Sequence, residues 1–303
     1  KDNTVWESSE FSGTKFLGLN AVKNGIVYLR TDRRIENWRV YSVNTNTKEQ
    51  TVLLDNQNLP NSPNNSGILD LEIEDNTLFI LFTSGEIYSS DLSGGSFTKR
   101  SPPLVSPLSF GFMTVQGNTA YVSDQNSGRD GDLSSYDLGQ SDNGSWVYIA
   151  PVNNTRFDLE GNFFYYIGGG AIVSYNISTN TTQQSPSIPN SDEIGNIVVD
   201  DGLVYVISRS SHRIYRYDFQ VGNFPGGNWS EIPKGGLPSS DIATSGFAVE
   251  NGTIYVFLAS TPPYVSKREI FVEEDEITIE DGDAGSVPPL LVGKEVRLAG
   301  TTT

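Results

Sequence analysis

One stretch of this chain has the residue types to hold a cation: Asp124-Gln125-Asn126-Ser127-Gly128-Arg129-Asp130-Gly131-Asp132. Asp124, Asn126, Asp130 and Asp132 offer side-chain oxygens in a glycine-containing loop, which suits a hard ion such as Ca2+. Turn formation explains the same residues without a metal. Ser135 stands where an EF-hand loop would carry its terminal glutamate. Two other acidic runs, Asp200-Asp201 and Glu280-Asp281-Gly282-Asp283, read as solvated turns.

Other chemistries are bounded by composition. His212 is the only histidine, so a metal site built on two imidazoles is excluded. There is no cysteine, which removes thiolate nucleophiles and disulfides alike. No spacing of Asp and Glu identifies a hydrolytic pair, because such a pair is defined by geometry. The formal net charge of −17 repels nucleic acid and anionic lipid. No apolar run reaches the roughly 18 residues that span a bilayer. A cysteine-free, acidic chain fits the outside of a prokaryotic or archaeal cell. There, the sequons at Asn64, Asn143, Asn153, Asn176, Asn180, Asn228 and Asn251 are candidate glycosylation positions.

The elements that must position these residues repeat. Six times a polar residue and an Asn or Gly lead into a run of strand formers with a central aromatic. The anchors are Tyr28, Phe79, Tyr121, Tyr165, Tyr205 and Tyr255, spaced by 51, 42, 44, 40 and 50 residues. That period is the length of one four-stranded blade. The Asn or Gly supplies the positive φ of a tight hairpin. The strand after it is the most apolar of its blade, so the anchors read as core.

A third strand ends in Asp or Asn, as in Ser135-Tyr136-Asp137 and Ser174-Tyr175-Asn176, where the side chain caps a turn. A fourth starts at an aromatic in Ser96-Phe97, Ser145-Trp146 and Asn228-Trp229. Blades are expected to begin near residues 16, 67, 110, 155, 195 and 245. In the sixth, Glu269-Ile270-Phe271-Val272 reads as the third strand and no fourth follows. Residues 4–8, Thr4-Val5-Trp6-Glu7-Ser8, match Asn228-Trp229-Ser230-Glu231 in type and are expected to supply it, removing an open edge.

These repeats resemble the six-bladed β-propeller superfamily, loosely of the kelch and NHL kind, with a kelch-like run at Gly168-Gly169-Gly170. The expected fold is all-β: six four-stranded antiparallel blades over residues 1–275, the N-terminal strand closing the last blade, then a β-rich extension over 276–303. The resemblance implies a ligand face built from loops between second and third strands. Those loops hold Arg33, Arg34, Glu36, Arg129, Arg209 and His212.

The extension contains Pro288-Pro289 and then Leu290, Leu291, Val292, Gly293, Lys294, Glu295, Val296, Arg297 and Leu298. Val292, Lys294, Val296 and Leu298 share one strand face, and Leu291, Gly293, Glu295 and Arg297 fall on the other. It is too short to build a core alone. It can lie on its own propeller, begin a further domain, or add a strand to another copy of the chain. The third reading is the expectation carried forward.

The expected function is a non-enzymatic extracellular or cell-surface structural or adhesive protein that self-assembles through this strand. The rivals are a polysaccharide hydrolase or lyase and a glycan- or peptide-binding module. Partners are other copies and glycans. No cofactor is expected, with Ca2+ the one candidate ion.

Overall fold

In a computed structural model, the described residues are 7–270 without 11–15, 32–37, 56–66, 105–107, 126–131, 153–155, 190–193, 209–210, 220–227, 233–241, 259–263, 95, 109 and 212. By contacts the chain divides into Lys1–Ile270 and Phe271–Thr303. The second unit, with the whole candidate strand 290–298, lies outside the described residues.

The six repeated phrases form two-residue hairpin turns. Asn24 and Gly25, Asp201 and Gly202, and Asn251 and Gly252 have positive φ at both positions. Asp75, Gly117 and Gly161 have it at the first. Both patterns match the right-handed twist of the strands they join.

Six antiparallel four-stranded sheets result, each running from channel to rim. Blade 1 is β2 (Phe16–Lys23), β3 (Ile26–Thr31), β4 (Arg39–Asn44) and β5 (Gln50–Asp55). Blade 2 is β6 (Ile68–Glu74), β7 (Thr77–Phe82), β8 (Ile87–Asp91) and β9 (Thr98–Lys99). Blade 3 is β10 (Phe110–Gln116), β11 (Thr119–Gln125), β12 (Asp132–Asp137) and β13 (Val147–Pro151). Blade 4 is β14 (Phe157–Glu160), β15 (Phe163–Gly168), β16 (Ala171–Asn176) and β17 (Thr181–Gln184). Blade 5 is β18 (Ile194–Asp200), β19 (Leu203–Ser208), β20 (Ile214–Asp218) and β21 (Ser230–Ile232).

Blade 6 is β22 (Ile242–Glu250), β23 (Thr253–Leu258) and β24 (Tyr264–Glu269), with β1 (Glu7–Glu10) as fourth strand. In β1, Glu7 lies opposite Lys267 and Glu10 opposite Tyr264. The sequence placed this strand at residues 4–8, of which 4–6 are outside the described residues. It also placed the third strand of blade 6 at 269–272. The strand is instead Tyr264–Glu269, which pairs Tyr264 with Leu258. The shorter connection wins, as short hairpin links generally do. Val265 and Ser266 of this strand are buried.

The core sits between blades. Six clusters of buried side chains each draw from two neighbours, including one joining Val27, Leu29 and Tyr41 of blade 1 to Tyr255, Phe257 and Val265 of blade 6. Five of the six aromatic anchors are buried and Tyr121 is half-buried. Each fully buried side chain of this size contributes about 1.5–3 kcal/mol.

Polar residues fasten the sheet ends. Asn44 Oδ1 accepts the amides of Asn46 and Thr47, and Asn176 Oδ1 those of Ser178 and Thr179. Asp91 and Asp137 do the same for Ser93 and Gly139. These are the side-chain turns that the third-strand Asp or Asn predicts. At the rim, Trp146 Nε1 donates to the carbonyl of Pro102 at 3.2 Å, and Trp229 Nε1 to that of Pro186 at 3.0 Å. Each indole thus ties its blade to the one before it.

Candidate functional site: the central channel

The innermost strands β2, β6, β10, β14, β18 and β22 surround a channel of about 400 Å³. An innermost strand is an edge whose side chains point toward the neighbouring blades. Its polar residues therefore meet the backbone of the next blade, and they do so in an ordered series.

Four blade joints are made by carboxylates. Glu74 of blade 2 accepts the amide of Gly117 in blade 3 at 2.6 Å. Glu160 of blade 4 accepts Gly202 N of blade 5 at 2.8 Å, and Asp200 of blade 5 accepts Gly252 N of blade 6 at 2.8 Å. Glu250 of blade 6 accepts Asn24 N and Gly25 N of blade 1 at 2.6 and 3.1 Å. Each acid ends an innermost strand and caps the hairpin turn of the next blade.

Two aspartates repeat the arrangement deeper in. Asp70 accepts its neighbour Leu71 N at 3.0 Å and Met113 N of blade 3 at 2.9 Å. Asp158 accepts Leu159 N at 2.8 Å and Val199 N of blade 5 at 2.7 Å. A carboxylate bonded to backbone N–H groups gains the charge-assisted strength of such bonds.

At the remaining two joints, between blades 1 and 2 and between 3 and 4, the innermost strands end in Lys23 and Gln116 instead of acids. Arginines bridge them. Arg30 of blade 1 donates through Nη1 to the carbonyls of Ile68, at 2.9 Å, and Leu69 in blade 2. Arg156 of blade 4 lies over the ring of Phe112 in blade 3, 4.6 Å from its centroid. Both arginines are buried. Asn196 adds a bond from blade 5 to the carbonyl of Phe247 in blade 6 at 3.2 Å.

Glu72 also lines the channel. Burial, reinforced by the charges of Asp158, Asp70 and Glu74, pushes its carboxyl well above the usual range. Burial raises Asp158 to about 7, although the amides of Val199 and Leu159 oppose the shift. For Asp158 desolvation outweighs its two hydrogen bonds, while the carboxylates gathered around Glu72 add to its shift. Burial thus favours the protonated form of both channel acids.

The residues of the expected ligand face, Arg33, Arg34, Glu36, Arg129, Arg209 and His212, all lie outside the described residues. Of the cation candidates, Asp124 and Asp132 are directly opposite each other across β11 and β12, while Asn126 and Asp130 are outside. Among the described residues, no three His, Cys, Asp or Glu side chains converge as a metal site.

Of the sequons, Asn143 and Asn228 are placed just before a rim strand, Asn228 exposed, and Asn180 and Asn251 are exposed with positive φ. Asn176 is half-buried, and Asn64 and Asn153 are outside the described residues. Sequence reasoning missed the channel set entirely. Its only local signal was the acid that precedes four of the six hairpin turns, which read as a strand end and not as a contact to another blade.

No family model and no curated protein matches the chain. A chain in the crystal structure of a nidogen/laminin complex superposes with a TM-score of 0.51 at 11% identity, covering 69% of this chain and 77% of that one. The computationally designed Ika8 protein gives 0.47 at 13% identity, covering 82% and 70%. At these identities the first likeness speaks for the fold alone, and the second carries no argument. The sheet topology and the first likeness agree on one class: the chain is a six-bladed β-propeller.

Proposed function

We propose that this propeller is a non-catalytic module of an extracellular or cell-surface assembly in a prokaryote or archaeon. It serves as a structural or adhesive unit, joins other copies of itself through residues 290–298, and carries glycan on exposed sequons. β1 is read as the strand that closes the ring, and residues 276–303 as an extension from it.

The observation that carries the proposal is the engagement of the channel acids. Asp70, Glu74, Asp158, Glu160, Asp200 and Glu250 each accept main-chain amides of the following blade. Carboxylates held this way fasten a rigid ring and present little to a substrate. The net charge of −17 and the lack of cysteine agree with a solvated surface structure.

A particle-mass measurement or electron micrograph of native material tests this. The full chain should form assemblies, and a chain ending at Gly285 should remain single. A full chain that is monomeric in native material would remove the proposal.

A second reading has one observation in its favour. Glu72 and Asp158 share the channel with raised proton affinities, as acid–base residues do at catalytic sites. On that reading the protein is a polysaccharide hydrolase or lyase, or binds a glycan or peptide in the channel. Turnover of a polysaccharide panel that Glu72→Gln abolishes would favour it.

A further inference from the structure

The six outermost strands differ in how they meet solvent. β9 has two residues and β21 three. β17 is Thr181-Thr182-Gln183-Gln184 and fully exposed, and β1 is Glu7-Ser8-Ser9-Glu10. Short, polar or charged edges of this kind discourage pairing with another chain. β5 has an exposed Val52, but blade 2 approaches it: a Cβ on Gly94 would lie 2.9 Å from the carbonyl of Leu53.

β13 is different. It is Val147-Tyr148-Ile149-Ala150-Pro151, five residues without a charge. Val147 is 59% exposed and Tyr148 57%, the two most exposed large apolar side chains among the described residues. Their main chain already pairs with β12 on one side, from Ser135 opposite Val147 to Asp132 opposite Pro151, with a bulge at Ile149. The other side is the rim of the sheet.

We propose that β13 is the docking edge for residues 290–298 of a second copy. This rests on the self-assembling reading above and names the surface it uses. The segment suits the edge in three ways. Its nine residues are long enough to span β13 from Val147 to Ala150. Leu290, Val292, Val296 and Leu298 fall on one face, with Lys294 among them, and Leu291 falls on the other, so both faces offer apolar side chains to a strand whose Val147 and Tyr148 point to opposite faces. Residues 286–303 carry Lys294 and Arg297 against a single acid, Glu295, in a chain of net charge −17, so this segment approaches an acidic body without the repulsion the rest would meet. Backbone hydrogen bonds then supply affinity and the side chains supply register. Because donor and acceptor differ, each copy can accept one neighbour and join another, which builds a head-to-tail chain of copies.

The cysteine-free sequence makes the test clean. Full-length Tyr148→Cys and full-length Val292→Cys are mixed and oxidised, with Thr182→Cys on β17 replacing Tyr148→Cys in the control. The first mixture should give a disulfide-linked pair of chains and the control none. In parallel, Val147→Lys with Tyr148→Lys should stop assembly while thermal unfolding of the single chain stays unchanged.

If removal of 286–303 stops assembly but the lysine variant does not, the docking edge is elsewhere and only this inference falls. Self-crosslinking of Tyr148→Cys alone overturns it in favour of two β13 edges meeting. A disulfide formed within one chain carrying both cysteines overturns it in favour of docking in cis. If the full chain never assembles, the functional reading and the inference fall together.

Discussion

Asp158 Oδ2 lies 2.7 Å from the amide of Val199, joining blades 4 and 5, yet its carboxyl is raised to about 7. The bond favours the ionised form and burial opposes it more strongly. A carboxyl that binds its proton more tightly when folded adds stability below its ordinary value of 3.8, and loses that contribution as pH rises through about 7. Glu72 is shifted in the same direction. The melting temperature should therefore rise as pH falls from 8 to 5. For Asp158 the full contribution is about 4 kcal/mol at most, reduced by solvent reaching the channel. Glu72→Gln should melt higher than the parent at pH 8 and gain less on acidification, which thermal scans across that range will read.

Alkaline pH should act through the aromatic anchors. Burial raises Tyr165, Tyr205 and Tyr255 to about 12. Their neutral phenols favour the fold fully below pH 10, and that contribution is lost as pH rises from 10 toward 12. Tyrosine absorbance in the near ultraviolet should thus change together with loss of β-sheet circular dichroism. Titration of all fourteen tyrosines before any loss of structure would contradict this.

Gly246 is closely packed against the next strand of blade 6. A Cβ there would lie 2.3 Å from Cβ of Phe257, whose side chain is fully buried. Gly246→Ala must push the two strands apart and should destabilise by about 1–3 kcal/mol. Urea unfolding should show a lower midpoint with an unchanged slope.

The sequons should separate by their local bonding. Asn176 Oδ1 accepts Ser178 N, Ser178 Oγ and Thr179 N, so a glycan there would have to sit on a side chain held in a turn. Asn143 and Asn228 stand at the rim, each just before an outermost strand. Glycopeptide mapping of native material should find Asn143 and Asn228 occupied and Asn176 bare.

The blades were legible because their signals are local. Asn24-Gly25 and its five relatives specify a turn within two residues, and Tyr28 or Tyr205 follows at a fixed distance, so period and blade number can be counted. Even there, a run of apolar residues at 270–272 misplaced the last third strand, because connection length decided its register and not hydrophobicity. The channel was not legible. Arg30 meets Ile68, Asp70 meets Met113, Asp158 meets Val199 and Asn196 meets Phe247, each across some forty to fifty residues. No short motif encodes such a contact, since it exists only once the blades stand side by side.

The two arginine joints have a mechanical consequence. Between blades 1 and 2 and between 3 and 4, no turn-capping acid reaches across among the described residues, and the innermost strands are also in thinnest contact there. These joints divide the ring into a short arc of blades 2 and 3 and a long arc of blades 4, 5, 6 and 1. On the channel side, local opening should therefore start at these two joints and not at the acid-capped ones. Amide exchange should accordingly be faster in the innermost strands beside Arg30 and Phe112 than in those beside Asp200 and Glu250.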